Sequence, residues 1–367
     1  MDQKQFLRPI CDQFNIYGDY LVAVPFGTGH INNTYQVTYD QGGVRLHYTL
    51  QRINRNVFPH PEQVMENIER ITGHILNCIR ASGRLSHNKR TIRLLKSHSG
   101  KPYVIDENGD YWRCYIFIER ARSYDVLTDE RQAYMAARTF ADFQNDMSTL
   151  PGERLHETIP DFHNTPKRLA ALKAAIKADT HSRASLVSKE IDFIMAREKE
   201  CSRLIEMQHA GILEERITHN DTKINNILID DVSGKAICVI DLDTVMPGLA
   251  HYDFGDMIRT ATSPAEEDEQ DLSKVTMRFS MYEALLRGYI SKAAGFLSQE
   301  EKEELPFAGK LITLEIGIRF LTDYLSGDTY FKTKHKQHNL DRCRNQLALV
   351  ASIEKQFSNM QKLVAQI

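Results

Sequence analysis

Short alternating runs of apolar and polar residues fill the first third of the chain. Residues 20–25, 33–39 and 46–53 are rich in β-branched and aromatic side chains and are separated by Gly27, Gly29, Gly42 and Gly43, which predicts strands joined by turns. The period then changes. After Pro59 and Pro61, Val64, Ile68, Ile71, Ile75 and Ile79 fall on one face of a helix. Two more strands are predicted at 102–106 and 112–118, the second running out into Glu119-Arg120-Ala121-Arg122-Ser123. From about Thr128 the helical period dominates, over 129–148, 165–178, 187–209, 270–295, 300–325 and 339–365, with one strand pair near 226–243. The pattern predicts an α+β, bilobal chain: a small β-rich N-lobe over 1–120 and a larger helical C-lobe over 121–367.

Composition narrows the partners. The chain has 367 residues, 42% of them hydrophobic, enough for a large core and long enough for two lobes. With 46 basic and 49 acidic residues it carries no strong field for nucleic acid or an anionic membrane. The N-terminal stretch has no signal-like apolar run, and no segment approaches the roughly 20 apolar residues of a membrane span. Six cysteines lie far apart with no C-x-x-C pair, which predicts reduced thiols in a cytoplasmic protein.

The chemistry concentrates in Ile217-Thr218-His219-Asn220-Asp221-Thr222-Lys223-Ile224-Asn225-Asn226, followed by an apolar strand, the turn Asp231-Val232-Ser233-Gly234 and a return strand ending Ile240-Asp241. Phosphoryl transfer needs a carboxylate to orient the acceptor, ligands for a metal on the phosphates, and cations for the developing charge. Asp221 suits the first role. Asn226 and Asp241 offer hard oxygens to one Mg²⁺, brought together by the hairpin, and Lys223 can reach the γ-phosphate. His219 is expected to be a packed scaffold. Downstream, Asp253-Phe254-Gly255 spells the D-F-G of protein kinases, but it lies beyond the hairpin. Asp253 is therefore expected to cap a helix or brace the loop. Asp243 either assists the metal or shapes its loop.

Between the first two strands, Gly27, Thr28, Gly29 and Asn32 lie where a nucleotide-binding loop belongs, since glycines let backbone N–H groups approach phosphate. The next strand lacks the lysine expected for the α/β-phosphates. Gln51 stands in its place, and Arg52 faces the other side unless a local bulge turns it round. The helix carboxylate that would pair with such a lysine is Glu69, or else Glu66.

His219 to Asn226 with Ile240-Asp241 resembles the aminoglycoside phosphotransferase and choline kinase superfamily. The strings Gly27-Thr28-Gly29-His30-Ile31-Asn32, Ile240 to Gly248, Asp161 to Pro166 and Arg319 to Leu325 are similar to those of bacterial N-acetylhexosamine 1-kinases, a likeness spanning about residues 15 to 355. The resemblance implies a protein-kinase-like fold, ATP and Mg²⁺, and transfer to O1 of N-acetylglucosamine or N-acetylgalactosamine. It also implies that Asp221 contacts the acceptor and that Arg319 and Tyr330 line the sugar site. A kinase for another small alcohol or an aminoglycoside, and a nucleotide-binding pseudokinase, are the alternatives. The basic run Lys332-Thr333-Lys334-His335-Lys336 speaks against a polycationic acceptor.

Overall fold

The computed structural model describes residues 7–27, 31–83, 89–124 and 126–367. They form two compact units, Met1–Arg122 with Thr149–Ile159 and Ile229–Val245, and Ser123–Ser148 with Pro160–Leu228 and Met246–Ile367.

In the first unit a short helix, α1 (Arg8–Cys11), precedes β1 (Asp19–Pro25), β2 (Asn33–Gln41), β3 (Val44–Arg52), β4 (Val104–Ile105) and β5 (Tyr111–Ile116). They make one antiparallel sheet in the order β1-β2-β3-β5-β4. Because strand side chains alternate, one face carries Val37, Tyr39, Tyr48, Leu50, Trp112 and Cys114 into a core shared with Leu7, Ile10, Cys11 and Phe14. The other face carries Thr34, Gln51 and Arg113. Helix α2 (Pro61–Ala81) opens with Pro at its first turn, where the missing N–H costs nothing, and buries Val64, Ile68, Ile71, Ile75 and Ile79. The later segments add a three-stranded sheet, with β6 (Ala121–Arg122) beside β8 (Ile227–Asp230), and β8 beside β9 (Ala236–Val239). Its hairpin turn is closed by Asp230, whose carboxylate accepts from the Ser233 backbone N–H and hydroxyl.

The second unit holds α3 (Glu130–Met147), α4 (Thr165–Ala178), α5 (Ser188–Met195), α6 (Arg203–His209), α7 (Ala250–Ala261), α8 (Phe279–Ala293), α9 (Gln299–Leu325) and α10 (His338–Val364). Two short strands, β7 (Arg216–Thr218) and β10 (Met246–Gly248), pair antiparallel among them. Helix α9 starts at a capping box between Ser298 and Glu301 and is buried nearly all round, as befits a central helix that α4, α7 and α10 pack against. Its core includes Leu314, Ile318 and Leu321 with Leu169, Leu172 and Val350.

Two helical spans expected from periodicity are shorter here. The helix expected over 187–209 breaks between α5 and α6, where the Arg197 guanidinium lies 3.5 Å from the Phe193 ring centre and takes the Phe193 carbonyl at 2.7 Å. That carbonyl needs a partner because it ends a helix. The span 270–295 begins only at Phe279. Asp271 caps a single tight turn, and the Arg278 N–H is drawn to the Thr262 carbonyl at 3.1 Å, in extended backbone. Strands of two or three residues (β6, β7, β10) carry no readable period. Among the described residues no helix is long and apolar enough to cross a membrane.

Candidate active site

The loop after β7 is built around a buried carboxylate. Asp253, in the first turn of α7, accepts from the His219 N–H at 2.9 Å on one oxygen and from the Asn220 N–H at 2.7 Å on the other. Its first oxygen also takes the Gln144 side-chain amide, which in turn receives the Tyr289 hydroxyl. Burial raises the Asp253 pKa, and these donors oppose the rise. The D-F-G aspartate is thus a brace for the loop. His219 is fully buried against Phe140 and Phe143, ring centres 5.5 and 6.1 Å away, and its Nδ1 accepts the Asp221 N–H at 3.3 Å, so it is a packed scaffold for the loop. Asn220 turns the chain with φ of 63°, a left-handed conformation that asparagine tolerates. Gly248 lies so close that an added Cβ would meet the Thr218 hydroxyl at 2.4 Å and the Asn220 side-chain amide oxygen at 2.8 Å.

Asp221 follows directly. The Lys223 ammonium lies 3.0 Å from one carboxylate oxygen. Asn226, in the tight turn Ile224–Asn226, donates its amide to the Asp221 backbone carbonyl at 2.8 Å and to the other carboxylate oxygen at 3.2 Å. Burial raises the Asp221 pKa, but the charges of Lys223 and His219 outweigh it and hold the carboxyl below its ordinary value. The Lys223 pKa is raised, chiefly by Asp221. The pair is therefore ionised at neutral pH. With its amide nitrogen engaged, Asn226 keeps its side-chain carbonyl oxygen as a lone-pair ligand atom.

Helix α9 organises a second group from one face, at i, i+4 and i+8. Glu315 accepts from Thr165 at 2.5 Å and pairs with His163 at 2.8 Å, whose other ring nitrogen meets the Asn220 carbonyl at 3.0 Å. Burial lowers the His163 pKa, yet Glu315 overcomes this and the net shift is upward. One turn on, the Arg319 guanidinium lies 5.2, 5.8 and 5.6 Å from the ring centres of Phe162, Tyr330 and Phe331. A further turn on, Asp323 accepts the backbone N–H groups of Thr329, Tyr330 and Phe331 at 2.8–2.9 Å, fixing the loop that carries Tyr330. Arg168 joins this group. It donates to the Phe162 carbonyl at 2.9 Å, and its Nε is buried without a partner. Burial, then repulsion from Arg319, lowers its pKa. Among the described residues neither Arg168 nor Arg319 forms an ion pair.

In the first unit, Asp241 starts the turn Leu242–Thr244 with φ of 58° and ψ of 59°. Asp243 has both oxygens engaged, one by the buried Arg113 and the other by the Asn32 amide at 2.7 Å. It therefore shapes its loop. Gln51 donates its side-chain amide to the Thr34 hydroxyl at 2.8 Å, and its side-chain carbonyl accepts from Nε and Nη2 of Arg113 at 2.9 and 2.8 Å. Arg52 pairs with Asp110 at 2.9 Å, and the β2–β3 register runs unbroken through it, so no bulge turns it round. Glu69 pairs with Lys96 instead of a strand lysine, and Glu66 meets His156 at 2.9 Å. Gly27 has φ of 82°, a backbone that favours glycine, whereas Thr28 and Gly29 lie outside the described residues.

Residues 22–285, well over half of the chain, match the family described as phosphotransferase enzyme family, APH. The chain belongs to that family. Solved structures show the same fold. An aminoglycoside phosphotransferase from Alicyclobacillus acidocaldarius is 12% identical with a TM-score of 0.64, covering 98% of this chain and 96% of its own. An ethanolamine kinase of Plasmodium vivax is 13% identical with a TM-score of 0.54, covering 92% and 84%. A spectinomycin phosphotransferase in complex with ADP and spectinomycin is 13% identical with a TM-score of 0.52, covering 93% and 94%. The phosphotransferase thus has the bilobal, protein-kinase-like fold, a β-sheet region followed by a helical one. Sequence reasoning did not single out His163, Arg168, Glu315 and Asp323 in the second unit, nor Arg113 in the first. A glutamate and an aspartate inside an otherwise apolar helix were the available signal for Glu315 and Asp323.

Proposed function

We propose that this phosphotransferase moves the γ-phosphoryl group of ATP onto the anomeric hydroxyl of an N-acetylhexosamine, giving a sugar 1-phosphate and ADP. The observation that carries the acceptor class is the pair Arg168 and Arg319. Among the described residues neither guanidinium is ion-paired, and the nearest buried carboxylate, Glu315, is already taken by His163 and Thr165, so the pair disfavours a polycationic aminoglycoside or a cationic amino alcohol. A neutral sugar brings hydroxyl and acetamide oxygens that accept their N–H groups, beside the faces of Phe162 and Tyr330.

In this reading the first unit takes the nucleotide, with the glycine-containing segment that begins at Gly27, and the second takes the sugar. Asp221, held ionised by Lys223, accepts a hydrogen bond from the sugar hydroxyl, aims its oxygen at the γ-phosphorus and receives its proton as the new P–O bond forms. As the bond to ADP lengthens, Lys223 is the cation nearest Asp221 for the charge on the moving group. Asn226 and Asp241 are the hard oxygen donors suited to Mg²⁺, which when bound neutralises phosphate charge. The free cysteines, five of the six buried, suit a reducing cytoplasmic setting.

The test is a panel of sugars, alcohols and aminoglycosides with ATP and Mg²⁺, reading ADP release and locating the phosphate by ³¹P NMR. Turnover of N-acetylhexosamines to 1-phosphates is expected. Turnover of aminoglycosides alone rejects the acceptor assignment. Arg319→Ala is expected to raise KM for the sugar roughly 10- to 100-fold, the loss of one or two charge-assisted hydrogen bonds, with KM for ATP little changed. Equal changes in both KM values would make Arg319 structural. Asp241→Asn and Asn226→Ala are expected to shift the Mg²⁺ dependence of the reaction to higher concentration with thermal stability preserved. An unchanged Mg²⁺ titration would remove that residue from the metal site.

A further inference from the structure

The phosphotransferase lacks a lysine on β3, yet its sheet holds a buried cation on the same row. Thr34 on β2 is in register with Gln51 on β3, and Gln51 with Arg113 on β5. All three lie on the face opposite the apolar core, and their side chains are hydrogen-bonded in sequence across the strands. Arg113 is 1% exposed. A buried arginine needs every charge and donor accounted for. Its Nε and Nη2 share the Gln51 carbonyl, and its Nη1 pairs with Asp243.

That pairing controls a turn. Asp243 sits two residues after Asp241, whose charge also falls on Arg113. Among the described residues, the first unit holds the segment Asp241–Val245 with side chains from several elements. Arg113 and Asn32 take the two oxygens of Asp243, the Thr158 hydroxyl takes its backbone carbonyl at 2.7 Å, and Asn67 donates to the Val245 carbonyl at 3.2 Å. Of these, only Arg113 brings charge. Without it Asp243 would be a buried carboxylate beside Asp241, and the two negative charges would push the left-handed Asp241 backbone out of its conformation. A lysine at position 51 could neutralise a carboxylate as a point charge. The arginine fork spans Gln51 and Asp243 at once, which an ammonium does not.

We infer that Arg113, on β5, is a positioning cation of the nucleotide site: buried and fully engaged, it touches no phosphate itself but locks Asp243 so that the Asp241 turn is preformed for the metal–nucleotide. The inference rests on the ATP-dependent reading above, and its test does not require the acceptor to be known. ADP binding to the full chain is measured by titration calorimetry across a Mg²⁺ series, with circular dichroism and thermal melts as controls. Wild type should bind ADP more tightly as Mg²⁺ rises. Arg113→Lys keeps the charge and loses the fork, and should raise the half-saturating Mg²⁺ about tenfold. Arg113→Met should abolish the Mg²⁺-dependent gain in affinity. Gln51→Lys combined with Arg113→Met moves the cation back to β3 and should recover part of that gain. A folded Arg113→Lys with the wild-type Mg²⁺ midpoint overturns the inference even if Arg113→Met fails to fold. Failure of the wild type itself to bind ADP with Mg²⁺ would overturn the nucleotide reading along with it, so the two failures are told apart by the wild-type titration.

Discussion

Asp221→Asn should lose most of kcat, by about 10²–10⁴-fold, while still binding ADP and sugar. Asparagine keeps the size of the side chain and one acceptor oxygen but takes no proton. It also removes the charge that raises the Lys223 pKa, so Lys223 loses its partner at 3.0 Å. An anomeric hydroxyl is more acidic than an ordinary alcohol and needs less help from a base, which places the loss toward the lower end of that range. Because the Asp221 pKa lies below the ordinary 3.8, the carboxylate persists through the neutral range, and its protonation limits the wild-type rate only as pH falls through that lowered value. Single-turnover kinetics with calorimetric binding of both ligands checks this. Wild-type turnover by Asp221→Asn would falsify the assignment of this loop, and with it the phosphotransfer mechanism.

Asp253→Ala should damage stability and rate together. Its removal leaves the His219 and Asn220 N–H groups and the Gln144 amide, all buried, without their acceptor. Removing one partner from such a buried network costs roughly 3–5 kcal/mol. The Asn220 turn that aims Asp221 would then relax, and a misplacement near 1 Å costs about 10²-fold in rate. Asp253→Asn should be milder in packing but turns a donor toward a backbone N–H, so it too should unfold at lower urea. A wild-type unfolding midpoint for Asp253→Ala would show that the loop is held by other contacts.

The contrast between Asp253 and Asp221 marks what can be read from a sequence here. The candidate loop was legible because its residues are local: Asp221, Lys223 and Asn226 lie within six residues, and the structure joins them by direct hydrogen bonds. The sheet strands and the helices at 130–147, 165–178 and 299–325 were legible because each buries one face, or all faces, with its own period. The break at Arg197 was hidden, since it depends on Glu354 of α10, 157 residues away, which accepts that guanidinium at 2.6 and 2.9 Å.

By itself the sequence determined the two-part α+β layout, the clustering of Asp221, Lys223 and Asn226 in one loop and the absence of a strand lysine at position 51. Tertiary structure alone decided which cation meets Asp243 and what supports the loop. Arg113 lies 62 residues from Gln51 and 130 from Asp243, and Glu315 lies 152 from His163. A buried charge is tolerated only where a partner meets it. Which residues meet is set by strand register and helix packing, and no local pattern encodes them.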